Sequence, residues 1–153
     1  MEIQSNARGK GNVLLVENDP ALRAEAAWTL RQAGYGVFEA EDGYQAFLLS
    51  ESLAQPLHLL VAEVRVGADL SGVELARHLR VLRPGMLVLY LSTIPGNPQL
   101  RKELQAALDT YLSKPFSQDA LLAKTDALME KSRARTGRVP AAFQSAQGVK
   151  AKS

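Results

Sequence analysis

Short apolar runs that break off at polar residues recur five times in this chain, with helix-like segments between them. The runs are 13–16, 37–40, 57–62, 86–91 and 110–112. Three of them are almost continuously apolar, as strands covered on both faces of a sheet must be. The intervening segments carry helix starts. Asp19-Pro20 joins an N-cap to a proline at the first helical position. Asp42 with Gln45 and Ser71 with Glu74 have the spacing of capping boxes. Asn97-Pro98 and Ser117 open two more helices. Apolar residues recur on single helical faces at Leu22, Ala26, Leu30 and Ala33, at Leu75, Leu79 and Leu82, and at Leu121, Leu122, Thr125, Leu128 and Met129. Trp28 is read as helix packing, and Gly34 as the stop of the first helix. Five βα units follow, 12–34, 36–54, 57–82, 86–107 and 109–131, with right-handed crossovers. The expected fold class is α/β, a doubly wound sheet with helices on both faces.

Composition narrows the function. The 153 residues contain no cysteine, which excludes a disulfide framework, a thiolate nucleophile and a cysteine zinc site. No apolar run approaches the roughly 20 residues needed to span a bilayer. Residues 1–10 lack the apolar stretch of a signal peptide, so the expectation is a cytoplasmic protein with no membrane partner. The net charge of +2 hides an asymmetry: 12 basic and 16 acidic residues precede Lys131, whereas 131–153 hold six basic residues and no acid. The expected organisation is an N-terminal extension at 1–11, one domain at 12–131 and a flexible basic tail at 132–153. A basic tail does not make the fold a nucleic-acid binder, and nucleic acid is not the expected partner.

In an open parallel sheet, chemistry gathers outside the carboxyl ends of the strands. Those ends hold Glu17-Asn18-Asp19, then Glu63, then Ser92-Thr93, then Ser113-Lys114-Pro115-Phe116. An acid cluster, a hydroxyl and a lysine should therefore share one edge. His58 and His78 lie away from it, have no metal-ligand spacing, and are read as structural or exposed.

Residues 12–131 resemble the response-regulator receiver domain of two-component signalling. The resemblance rests on Leu14-Leu15-Val16-Glu17-Asn18-Asp19-Pro20, Gly34-Tyr35-Gly36-Val37, Ser71-Gly72-Val73-Glu74-Leu75-Ala76 and Tyr111-Leu112-Ser113-Lys114-Pro115-Phe116. It implies a flavodoxin-like (βα)5 sheet of five parallel strands in the order 2-1-3-4-5. In that family an aspartate after the third strand takes a phosphoryl group from a phosphohistidine, and two acids after the first strand hold Mg²⁺. A Ser or Thr and a Lys contact the phosphoryl oxygens. The chemistry needs an in-line carboxylate and positive charge on the equatorial oxygens. By position, Glu63 takes the acceptor place, Glu17 and Asn18 the metal pair, Ser92 the hydroxyl and Lys114 the lysine. Tyr111 takes the aromatic switch place, where a packed strand aromatic is the competing reading. The resemblance also implies a cis Lys114-Pro115 bond.

Three departures bear on activity. Glu63 is longer than aspartate by one methylene, about 1.5 Å, and displacements on the order of 1 Å cost ~100-fold in a positioned reaction. Its carboxylate would reach into the phosphoryl space, pair with Lys114 and accept from Ser92. Asn18 removes a charge from the metal cradle, so Mg²⁺ binding is expected to be weak. Asp19 is the alternative metal ligand, set against its role as a cap. The stretch Val66-Gly67-Ala68-Asp69-Leu70 replaces the family's Met-Pro-Gly or Leu-Pro-Gly turn.

The leading expectation is a non-enzymatic, atypical single receiver. It would act by protein–protein contact, with a histidine kinase or another signalling protein docking on residues 97–130, and a homodimer through the same face is open. The alternatives are a working phosphoacceptor in a kinase relay, a small enzyme on a flavodoxin-like sheet, and nucleic-acid binding through the tail. No Gly-rich phosphate loop follows the first run, and no nucleophile–base pair supports the enzyme.

Overall fold

Each strand of this protein sends alternate side chains into two separate cores, which is why its apolar runs are continuous rather than alternating. The computed structural model describes residues 9–64, 70–92, 98, 102 and 110–136. The elements in chain order are β1 (Asn12–Val16), α1 (Pro20–Gln32), β2 (Gly36–Ala40), α2 (Gly43–Ser52), β3 (Leu59–Glu63), α3 (Gly72–Leu82), β4 (Leu87–Ser92), β5 (Thr110–Ser113) and α4 (Gln118–Thr136). All strand pairs are parallel and the order is β2-β1-β3-β4-β5. This is the flavodoxin-like order that the sequence resemblance implies. Of the helix expected to open at Asn97-Pro98, Pro98 and Lys102 are described and helical, while Asn97 and the tail from 137 lie outside the described residues.

Leu14, Val16, Leu60, Ala62, Val88 and Tyr90 face one core with α2 and α3. Val13, Leu15, Leu59, Val61, Leu87 and Leu89 face the other with α1 and α4. Local signals agree with this layering. Asp19 caps α1 by accepting from the Ala21 and Leu22 N–H groups. Ser71 and Glu74 form a complete capping box on α3. At the end of α1, Gly34 has φ +109°, and the Gly34 and Tyr35 N–H groups donate to Arg31 O and Leu30 O. That is a Schellman stop, a conformation a side-chain-bearing residue resists.

Four local expectations need correction. Trp28 is 63% exposed. At 100° per residue it lies about 150° around α1 from the face set by Ala26, Ala27 and Leu30. Leu82 is 73% exposed: it lies at the margin of the buried arc, about 20° beyond Leu75, and is the last residue of α3. Arg80 and Arg83 anchor that end instead, donating to Met86 O and to Ser50 O. Asp42 caps Gln45 N, but the Gln45 side chain turns back to Glu41 N rather than to Asp42, so α2 lacks a reciprocal box. Finally, α4 runs on to Thr136 rather than ending at 131. Lys, Arg and Ala are good helix formers, and no breaker occurs before Gly137.

His58 is structural. It is 3% exposed, and its Nδ1 accepts the Asn12 N–H at 2.8 Å. His78 is exposed, its ring edge-on to Phe47. Burial pushes the His58 imidazole down to about 4 from its ordinary 6.5. The unfolded chain therefore takes up a proton on His58 below about pH 6.5, which the folded chain refuses until about pH 4. Stability should fall as pH drops through that window, by about 3 kcal/mol if the whole shift is expressed. Urea unfolding at stepped pH measures this slope, and the His58→Gln variant should flatten it above the carboxylate range.

Candidate functional site

The parallel register carries the ladder one residue past several strand ends, and this gathers the site. Val16 stands opposite Ala62, Glu63 opposite Leu91, and Ser92 opposite Ser113. Beyond these pairs, the Glu17 N–H donates to Ala40 O, the Val64 N–H to Leu91 O, and the Lys114 N–H to Ser92 O. Glu17, Glu63, Ser92 and Lys114 therefore come to one edge, as their positions in the sequence predict.

Their side chains form an ion triad. Lys114 Nζ lies 2.8 Å from Glu17 Oε1 and 2.5 Å from Glu63 Oε2. Glu17 is 1% exposed, whereas the side chains of Lys114 and Glu63 keep 14% and 19% of their surface. A buried carboxylate must be paired and hydrogen-bonded to stay ionised. Glu17 meets that demand through Lys114 and through Oε2, which accepts the Asp19 N–H at 3.1 Å. Burial alone would lower the Lys114 ammonium. The hydrogen bonds and charges of Glu17 and Glu63 outweigh it and hold the ammonium above its ordinary value, so it stays protonated.

The other expected residues are placed as follows. Ser92 is buried at the end of β4. Tyr111, half-buried on β5, packs against the core shared with α2 and α3, beside Tyr90 in register. Asn18 is exposed. Asp19 Oδ1 accepts both N–H groups of the α1 cap, the role set against metal ligation in the sequence. The Lys114-Pro115 bond is cis. Of the altered turn after Glu63, 65–69 lie outside the described residues. Sequence reasoning missed two contributors. Arg23 NH1 donates to Glu17 O at 2.7 Å, though nothing in the sequence separates it from any surface arginine of a helix. Gly72 donates to Val64 O at 2.6 Å, and a Cβ there would collide with the Glu63 carbonyl. A glycine one residue inside a capped helix was the available signal.

The receiver-domain family of response regulators matches residues 13–126. The chain belongs to that family. Among curated relatives, the sensor kinase CckA of Brucella abortus is 30% identical over 131 residues, covering 86% of this chain and 14% of that protein. The cell cycle response regulator CtrA of Brucella ovis is 28% identical over 121 residues, covering 79% and 51%. The chain thus spans about half or less of the length of these relatives. The solved chemotaxis protein CheY4 of Vibrio cholerae superposes with a TM-score of 0.67 at 25% identity, covering 77% of this chain and 98% of that one. A CheY-like receiver domain protein from Methanospirillum hungatei gives 0.69 at 25%, covering 81% and 98%. The receiver fold and a place in two-component signalling are established by these matches.

Receivers commonly bind Mg²⁺ at the acidic edge, where the ion needs six oxygens in octahedral order. The donor set of this receiver does not fit a tight site. One oxygen of each carboxylate is held by the Lys114 ammonium, the other Glu17 oxygen by the Asp19 N–H, and Asn18 is a neutral, exposed amide. Among the described residues, no group of three or more His, Cys, Asp or Glu converges on one point. Nor is any described helix long and apolar enough to cross a membrane.

The triad predicts a specific energetic pattern. Lys114→Met strands the buried Glu17 charge and should cost about 3 kcal/mol in urea unfolding. Adding Glu17→Gln should recover at least about 1 kcal/mol, because the stranded charge is then gone. A double-mutant cycle reads the coupling directly.

Proposed function

We propose that this receiver signals by protein–protein contact and does not accept a phosphoryl group in the ordinary way. The observation that carries the reading is the Lys114–Glu63 pair at 2.5 Å. In the family, the lysine is expected to meet the phosphoryl oxygens. Here the carboxylate of the acceptor position reaches that ammonium by itself, because glutamate is one methylene longer than aspartate. Glu63 therefore fills the phosphoryl space and stands in for the added negative charge, with its Oε2 engaged by the ammonium. Weak Mg²⁺ affinity follows from the same geometry, since a divalent ion would have to displace a lysine held by two charged hydrogen bonds.

The partner we propose is a histidine kinase or another signalling protein, bound through residues 97–130, of which 98, 102 and 110–130 are described, the last stretch holding β5 and most of α4. A homodimer through that face is compatible with the same reading. Nucleic acid is not among the partners proposed, since the basic excess belongs to the tail and the domain carries more acidic than basic residues. No enzymatic role is proposed.

Incubation with a small acyl phosphate and Mg²⁺, read by intact mass, tests the reading. The wild-type protein should stay unmodified, and the Asn18→Asp/Glu63→Asp double variant should form a phosphoprotein. Beryllofluoride should likewise perturb the NMR spectrum of the double variant alone. A stoichiometric wild-type phosphoprotein would instead establish a working phosphoacceptor in a relay.

A further inference from the structure

We infer that Arg23 is a positioning residue for the ion triad, and that it ties the triad to the outer strand β2 through Glu39. The inference stands on the geometry of the triad, not on whether Glu63 accepts a phosphoryl group.

Consider first the polar atoms of Glu17. Its N–H donates to Ala40 O at 3.1 Å. Oε1 pairs with Lys114 and Oε2 accepts the Asp19 N–H. The carbonyl oxygen accepts Arg23 NH1 at 2.7 Å. Each backbone and carboxylate group of this buried residue thus has a partner, and only one of these contacts comes from a side chain outside the triad. Between β1 and α1, the residues 17–19 otherwise depend on the Asp19 cap to hold their course. Arg23, one turn into α1, closes the turn from the helix side.

Arg23 is in turn fixed from β2. Its Nε lies 3.6 Å from Glu39 Oε1, while Glu39 Oε2 lies 3.0 Å from Arg31 NH1. Arg31 NH2 also donates to Val37 O at 2.9 Å. The ladder shows why that carbonyl is available. Gly36 N–H donates to Gly11 O, and Ala40 O accepts from Glu17. In a parallel pair, alternate residues face the partner, so Gly36, Phe38 and Ala40 bond to β1. The backbone groups of Val37 and Glu39 then point to the open edge of the sheet. Arg31 covers this edge, as an exposed edge requires. A chain of hydrogen bonds and ion pairs thus runs from Val37 O through Arg31, Glu39 and Arg23 to the Glu17 backbone. These side chains keep between 20% and 35% of their surface, so a ligand or protein that engages the β2 edge could reach the triad by competing for Glu39.

Charge alone gives the opposite expectation from positioning. Deleting a cation near the triad should leave the Lys114 ammonium, if anything, more tightly held by its carboxylates. Loosening the Glu17 backbone should release it. The test uses the full chain, with hydrogen exchange of individual amides and the ¹H–¹⁵N ammonium signal of Lys114 near neutral pH. In Arg23→Gln, the Asp19 and Glu17 amides should exchange about tenfold faster, the loss of roughly one hydrogen bond. The Lys114 ammonium signal should broaden or vanish. The core amides of Leu14, Val61 and Leu89 should change by no more than the global stability does. In Glu39→Gln, on a third-exposed side chain, the same two signals should move in the same direction by less. Trp28→Ala, on the exposed face of α1, should move neither. Unchanged Asp19 and Lys114 signals in Arg23→Gln, or protection lost equally across the sheet, would overturn the positioning role. An unchanged triad in Glu39→Gln would overturn the link to the sheet edge.

Discussion

A carboxylate as deeply buried as Glu17 needs a cation and hydrogen-bond donors beside it, and Lys114 and the Asp19 N–H supply them. That requirement reaches across the sheet. Glu17 follows β1, Glu63 ends β3 and Lys114 follows β5, so one ammonium links the ends of three strands. The strands must be in register for the three groups to meet. The register is set by apolar residues that fill two cores, since a slip of one residue would exchange the faces of every strand. The ionic contact at the top therefore depends on packing throughout the interior, and packing at the top has to accommodate the ions.

The same contact decides what chemistry the edge can support. A receiver needs a carboxylate that is free to attack, a metal to gather oxygens and a lysine to meet the incoming charge. In this protein the second and third demands converge on one ammonium that two carboxylates already share. At this edge two carboxylates, Glu17 and Glu63, share the one Lys114 ammonium, an excess of one acidic group over basic.

The edge strand β2 adds a second layer of charge. Glu39 sits between Arg23 and Arg31, close to the free side of the sheet, and Arg23 also reaches the Glu17 backbone. Blunting of a sheet edge and support of an ionic site are usually separate tasks. Here two arginines on one helix serve both, because α1 packs directly over β1 and β2.

Much of the fold was legible in the sequence. Continuous apolar runs, Asp19-Pro20, Ser71 with Glu74, and Gly34 act through neighbours in the chain, so their effects can be read locally. The residue types at the strand ends likewise identified Glu17, Glu63, Ser92 and Lys114 as one group. Where the reading failed, a three-dimensional count was needed. Trp28 looked like a core residue until Ala26 and Ala27 showed where the face of α1 pointed, and Leu82 did until α3 was seen to end at it. Gln45 had two nearby donors within reach, and the backbone chose Glu41. The sequence alone determined the layer architecture and the kinds of group at the edge, because hydrophobic period and caps are short-range properties. Only the tertiary structure decided that Lys114 bridges Glu17 and Glu63, and that Arg23 reaches the Glu17 carbonyl. Those contacts join residues whose separation is fixed by strand register and helix docking, and distances of a few ångströms cannot be read from order along a chain.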